Sequence, residues 1–561
     1  MISPKLKSDA SPQVVALVEQ IEVRCDGWAK NLTLLGSTHD VAVWGVLTQI
    51  IDLVEQQIKQ FGHGSQQQRE AMINLGRAGA RLIDEICSMK LSRGDNWLRW
   101  TSELRESTKQ AVLAAHNCEA FVGCFVTWHQ NRRAVEILSP TRLRFSIPPS
   151  RMESRIQAYQ QGRRIPGWPS TADNPVDKSF VDGPDVNRLL EGLRQRITLE
   201  GALAISYPDD SELLSFLRDI HYEKLQRAFR RDPRLDLGGY DLAAFRQFFA
   251  VLESLCAVHE YICDLWAKRC GRYPFESAVM VKRVSEWVEV VKNLCSLNEN
   301  QIRLMLSDLT FGRIRALDIY IHPFVPSYDS DRLFLIPHVI MNSRPEENIL
   351  RVCSYARPQC HRPIANAKEE EMREGIKKVC TDRYSVFGPL KLPDPKLPDV
   401  DIIIKDSVAS QLLIGELKWL RKPTRVIDHA EKDAELEEGF RQLRAIRAFL
   451  EQFPQYLKDR TIVEREEDFF SLSFVVVARD HLSYAAQPDD LWLAEFDALA
   501  WALGNSSNLK DCISKLQTFE WLPVEGRDFV VKFESATLAG ETIECENFHS
   551  RQNIEELRKV E

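Results

Sequence analysis

Two short segments place acidic groups beside apolar runs: Pro398-Asp399-Val400-Asp401 before Ile402-Ile403-Ile404, and Leu412-Leu413-Ile414-Gly415 before Glu416-Leu417-Lys418-Trp419. An acid two residues before a lysine carries little information alone. Context separates two such tripeptides. Asp394-Pro395-Lys396 sits in a proline-rich loop where no sheet forms, whereas Glu416-Leu417-Lys418 ends a strand-like run. On a strand, residues i and i+2 share a face, so Glu416 and Lys418 project together. If the two runs pair as an antiparallel hairpin across Asp406 to Gln411 with Lys405 opposite Leu412, then Asp401 falls opposite Glu416, roughly 5 Å away between Cβ atoms. Asp399 falls on that face too, opposite Lys418. A slip of one residue turns Asp401 to the other face, so the convergence depends on this register.

Two carboxylates held this close and partly desolvated repel each other unless a proton or a cation intervenes. Mg²⁺ takes one or two protein carboxylates and leaves its other positions to water and phosphate, which suits Asp401, Glu416 and a backbone carbonyl. Mn²⁺ is the alternative ion. Lys418 beside such a cation would orient or help deprotonate a water and offset charge on a phosphate. That is the chemistry of phosphodiester hydrolysis.

The elements that must position these groups are legible in the same stretch. Periodicity predicts a helix from Asn366 to Cys380, strands over Tyr384–Leu390, Val400–Lys405 and Leu412–Trp419, a helix from Glu431 to Phe453 and a strand over Ser471–Ala478. This alternation implies a mixed sheet covered by helices. A further hairpin, Phe529–Phe533 with Thr542–Phe548, is expected around Leu538-Ala539-Gly540.

The order helix, three strands with the acidic motif on the second and third, helix, strand resembles the PD-(D/E)xK nucleases of the restriction-endonuclease-like fold. The resemblance covers about a fifth of the chain, from Asn366 to Ala478. It implies metal-binding roles for Asp401 and Glu416 and a catalytic role for Asp401, Glu416 and Lys418. Asp399 fits the literal "PD" better, while the cross-strand geometry favours Asp401. Many members add a metal-binding acid from the first helix; of Glu369, Glu370 and Glu371, Glu369 points best toward the sheet, given the apolar face of Met372, Ile376 and Val379, and is the third metal ligand that the resemblance implies. Some members use a glutamine on the second helix, and Gln442 occupies that place beside the stripe Leu436, Phe440, Leu443, Phe449 and Leu450. Phosphate contacts are expected from Arg421, Lys422 and Arg425 after the motif strand, and from Arg441, Arg444 and Arg447 on the next helix. The stretch Arg132 to Arg164, with Phe145, Tyr159 and the nearby Trp168, is a second candidate groove for nucleic acid.

The 561 residues correspond to roughly three or four domain lengths. With 73 Lys plus Arg against 81 Asp plus Glu, the net charge is −8, so nucleic-acid contact must be a local patch. The expected fold class is multidomain α plus α/β: a large, mainly α-helical N-terminal region over 1–310, a β-hairpin and connector over 311–365, and a restriction-endonuclease-like mixed β-sheet domain flanked by helices over 366–561. The helical region has an irregular Pro- and Gly-rich connection at about 139–185 that would separate two subdomains. The hairpin is expected from Leu317–Phe324 and Leu333–Met341, followed by a helix from Pro345 to Tyr355.

The 13 cysteines include no CxxC pair, which argues against a disulfide framework and a zinc ribbon and for a reducing, cytoplasmic setting. Cys256, Cys263 and Cys270 recur every seven residues and predict a buried helix face. Cys353, Cys360 and His361 are too few for a metal cluster. The first residues show no apolar export signal, and Ala111–Trp128, interrupted by His116, Asn117 and Glu119, reads as a core helix and not as a membrane span. The functional expectation is a metal-dependent endonuclease acting on DNA in preference to RNA, in prokaryotic defence against phage or foreign DNA. The helical region would regulate or target it, through a protein partner or self-assembly. The alternative is a non-catalytic nucleic-acid-binding or assembly scaffold that retains the fold.

Overall fold

The computed structural model describes the chain except residues 1–10, 62–65, 90, 95–98, 130–132, 147–154, 156–183, 201–203, 208–210, 229–230, 314–317, 381–382, 407, 421–427, 460–470, 480–490 and 551–561. Long helices dominate the N-terminal half and several small sheets follow or interrupt them. Two apolar cores organise them.

The first core gathers helices Pro12–Asp26, His39–Phe61, Gln66–Ser88 and Ser102–His129. The last is, among the described residues, the one helix long and apolar enough to cross a membrane. Its Ala111, Val112, Ala115, Phe121, Cys124 and Phe125 are buried in this core. A four-stranded sheet completes the core, ordered Ala134–Ser139, Arg142–Ser146, Glu541–Ser550, Phe529–Leu538. The Phe529–Ser550 hairpin, grouped from sequence with the residues after 366, thus pairs in parallel with Arg142–Ser146. The "irregular connection" begins with two strands of this sheet.

The second core runs from Leu190 to Leu522 without a break at 310 or 366. It joins Ser211–Ala228 and Leu242–Cys270 to the later elements. In the latter helix Cys256 and Cys263 are buried but Cys270, at its last turn, is exposed. The hairpin of the middle region is shorter than expected, Phe324–Pro326 with Arg332–Leu335, and Met280–Arg283 adds a third strand. Pro337 has no N–H for a ladder and instead opens a short helix, Pro337–Met341. The expected connector at Arg357–Pro363 is helical for the same reason: Pro358 sits in the first turn.

The elements that carry the motif are α1 (Pro358–Val379), β1 (Tyr384–Phe387), β2 (Ile402–Asp406), β3 (Gln411–Trp419), α2 (Asp428–Gln452), β4 (Ser471–Arg479), β5 (Trp492–Glu495), α3 (Phe496–Asn505) and α4 (Leu509–Gln517). The sheet order is β5-β4-β3-β2-β1, antiparallel from β1 to β3 and parallel from β3 to β5. β3 is buried along almost its whole length, as a central strand covered on both faces must be. Asp406 fixes the β2–β3 turn: its Oδ1 accepts from the backbone N–H of Val408 and Ala409, and its Oδ2 accepts from Leu509 N–H at 2.8 Å, docking α4.

Candidate functional site

The β2–β3 ladder sets Lys405 opposite Leu412 and continues to Ile402 opposite Gly415. Beyond it Asp401 closes on the motif strand: its Oδ2 accepts from the backbone N–H of Leu417 at 2.8 Å. Glu416 and Lys418 share a face, with Lys418 Nζ 2.7 Å from Glu416 Oε1. The same ammonium donates to Gln442 Oε1 on α2 at 2.6 Å. Lys418 is therefore held from two sides, by its own strand and by the helix that covers it.

Two glycines make this closeness feasible. A Cβ on Gly439 would lie 3.2 Å from Lys418 Cε, so a side chain there would press on the lysine that α2 reaches. Gly388 has φ +126, and a Cβ on it would lie 2.4 Å from the Asp401 carbonyl oxygen. The chain after β1 can pass behind Asp401 only as glycine.

Glu369 stands half-buried on α1, within charge range of Asp401, Glu416 and Lys418. Burial, reinforced by the Asp401 charge, pushes its carboxyl up to about 7. Burial followed by Asp401 likewise pushes Glu416 up to about 8. Asp401 is also raised by burial, although the Leu417 N–H, Lys418 and Arg373 pull against it. Burial alone would lower Lys418, yet the surrounding Glu416, Asp401 and Glu369 raise it. The ammonium stays charged while the carboxylates compete for it. Glu416 Oε2 is buried with no hydrogen-bond partner, an uncompensated acceptor in the middle of the group.

The donor set fits a hard cation in a restricted way. Among the described residues no three His, Cys, Asp or Glu side chains stand close enough to form a metal cluster by themselves. A cation here would use Asp401 and Glu416 and complete its shell with backbone oxygen and water, with Glu369 acting across a longer gap.

The remaining sequence candidates divide. Asp399 is exposed and acts on Asp401 only through its charge, so the structure distinguishes the two aspartates that spacing could not. Arg441 is largely exposed and paired with Glu438, and Arg444 is exposed. Arg447 pairs with Glu451 at 2.8 Å. Arg421, Lys422 and Arg425 lie outside the described residues, as do Arg132, Tyr159 and Trp168.

The second basic stretch is described only in part, with Arg133, Arg142, Arg144 and Arg155 among the described residues. Its described arginines are used internally: Arg142 and Arg144 bind Glu544, Arg133 donates to Cys545 Sγ, and Arg155 donates to the carbonyls of Phe519, Leu522 and Pro523. Phe145 is fully buried and unavailable for stacking on a base. The described groups tie strands and loops together.

Sequence reasoning missed Arg373. It is buried on α1, and its Nε donates to the Asp401 carbonyl at 3.0 Å. Its place four residues after Glu369 was the available signal, since such residues share a helix face. It also missed β5, α3 and α4, which extend and cap the sheet. No protein-family model, curated protein or solved structure matches this chain.

Proposed function

We propose that the chain is a metal-dependent endonuclease of the PD-(D/E)xK type, hydrolysing phosphodiester bonds with a restriction-endonuclease-like domain built on β1 to β4, α1 and α2. The observation that carries this reading is the buried, unpartnered Oε2 of Glu416 between Asp401 and the doubly held Lys418. Asp401, Glu416 and Glu369 outnumber Lys418 and the nearby Arg373, a deficit that a divalent cation corrects. The observed helix–strand–strand–strand–helix–strand order supports the same reading.

Mg²⁺, or Mn²⁺, would be held by Asp401 and Glu416, where it supplies positive charge for the phosphate and acidifies water. Glu416 and Gln442 fix the Lys418 ammonium, which donates to the attacking water or to a phosphate oxygen. Arg373 and Gly388 set the backbone position of Asp401. Exposed arginines of α2 supply sequence-independent phosphate contacts. DNA is the favoured substrate over RNA, and the helical region regulates or targets the centre through a partner or self-assembly. A cytoplasmic role in defence against foreign DNA rests on the family analogy alone.

The test incubates purified full-length protein with plasmid, linear and single-stranded DNA and with RNA, in Mg²⁺ or EDTA. Lys418→Ala, Glu416→Ala and Asp401→Ala are each expected to lower cleavage by roughly 10²–10³-fold. Equal cleavage by the wild type and all three variants would refute the assignment. Cleavage absent under every condition, with Mg²⁺-independent DNA binding retained, would move the reading to a non-catalytic scaffold.

A further inference from the structure

A pair of cysteines far apart in sequence meets at the seam between the long N-terminal helix and the sheet of the first core. Cys124 lies on the buried face of Ser102–His129, between Phe121 and Phe125. Cys545 lies on Glu541–Ser550, opposite Phe145 on one side and Glu534 on the other. Their sulfurs are 2.7 Å apart. Arg133 Nη1 donates to Cys545 Sγ at 2.9 Å and also reaches the Glu546 carbonyl at 3.3 Å. The contact is anchored on both sides. Phe125 meets Phe145 edge-to-face at 5.6 Å, and Asn117 Nδ2 donates to the Thr537 carbonyl at 2.9 Å.

The two thiols differ in kind. Cys124 is 1% exposed, and both its hydrogen bond to Cys545 and its burial hold its proton on. Cys545 is partly accessible; the sulfur–sulfur contact with Cys124 lowers it against the burial penalty, Arg133 helps, and Glu534 and Glu546 oppose. A partly exposed cysteine whose sulfur accepts from an arginine, in contact with a buried cysteine, is the arrangement of an attacking and a resolving cysteine.

We infer that Cys124 and Cys545 form a reversible disulfide that joins the N-terminal helix to the Phe529–Ser550 hairpin when the protein meets hydrogen peroxide. The Cys545 thiolate attacks one peroxide oxygen, breaking the O–O bond to give a sulfenic acid and hydroxide. Cys124 sulfur then attacks Cys545 Sγ, the S–O bond breaks, and the hydroxyl leaves as water with the Cys124 proton. The two thiols lose two electrons and the peroxide is reduced to two waters. A dithiol reductant restores both. This sits beside the reducing setting implied by the absence of a disulfide framework, since such a bond would be transient there.

The full-length protein is treated with hydrogen peroxide, denatured, alkylated and mapped by non-reducing peptide mass spectrometry. The expected result is one intramolecular Cys124–Cys545 peptide lighter by two hydrogens, two fewer alkylatable thiols, a higher thermal midpoint, and reversal of all three by dithiothreitol. In Cys124→Ser the intermediate is expected to persist as a dimedone-reactive sulfenic acid on Cys545. Cys87→Ser with Cys270→Ser, which removes two exposed thiols, should leave the cross-link intact. Oxidation confined to Cys87 and Cys270, or Cys545 passing to sulfinic acid in the wild type with no linked peptide, would overturn the inference.

Discussion

Helix α1 carries two clusters of buried charge on neighbouring residues, and they have opposite electrostatic character. In the first, Arg231 and Arg246 grip Glu346 at 2.6 and 3.0 Å, and Arg231 also binds Glu347 and Glu371. Lys368 Nζ lies 2.5 Å from Glu347 Oε1, over the Trp419 ring. Arg231, Arg246 and Lys368 meet three carboxylates, and Arg479 adds a longer contact to Glu371 at 3.5 Å. Burial would raise Glu347, yet Lys368 and Arg231 hold it down to about 2. In the second, starting at the next residue, Glu369, the carboxylates outnumber Lys418, and Glu369 and Glu416 are driven upward. Each cluster has a buried centre, although Glu347 and Glu371 reach the surface; charge balance is what differs. A balanced network locks the helix against the body that precedes it, and an unbalanced one stores affinity for an added cation.

The sharpest way to break this contrast is to unbalance the structural cluster. Glu346→Ala would leave two buried guanidiniums short of a partner and is expected to cost about 3–5 kcal/mol in urea unfolding, with no rescue by Mg²⁺. A loss below about 1 kcal/mol would mean that the network holds little together.

The second experiment exploits the opposite sign of the motif cluster. An ordinary glutamate ionises near 4.5 and Glu416 near about 8, so between those values the folded state holds a proton that the unfolded chain has released. Stability from this group is present below the lower value and lost as pH rises through the upper one. Metal-free wild type is therefore expected to lose about 1–3 kcal/mol across that window, and Glu416→Gln to flatten the profile. Added Mg²⁺ should raise the wild-type midpoint at pH 8 and leave Glu416→Gln unmoved. Identical pH profiles for the two proteins would remove the distinction between the clusters.

The smallest effect concerns positioning. Gln442→Ala frees one side of Lys418 and is expected to lower cleavage about tenfold to a hundredfold, with folding stability nearly unchanged. A drop as large as that of Lys418→Ala would show that Gln442 does more than orient the ammonium.

Much of the motif region was legible because its signals are local. The runs Ile402–Ile404 and Leu412–Leu417 marked the strands, while the register that converges the acids was an assumed pairing, Lys405 opposite Leu412, which the ladder shows. What stayed hidden depends on distant partners. Nothing near Arg142 announces that Glu544 will neutralise it, and nothing near Phe529 announces a strand at Arg142–Ser146. Arg142 and Arg144 therefore read as a basic groove until their acids arrive from some four hundred residues away. Proline misled at shorter range: at Pro337 and Pro358 it begins helices, where spacing alone suggested a strand and a connector.

The pairing of Phe529–Ser550 with Arg142–Ser146 also sets an order of events during synthesis. The first core lacks half its sheet until residues beyond 528 leave the ribosome, whereas α1 to α4, ending at Gln517, have already emerged. The N-terminal helices must wait, incomplete, while the motif-bearing sheet assembles ahead of them. A late hairpin thus closes a core whose other strands were made some four hundred residues earlier.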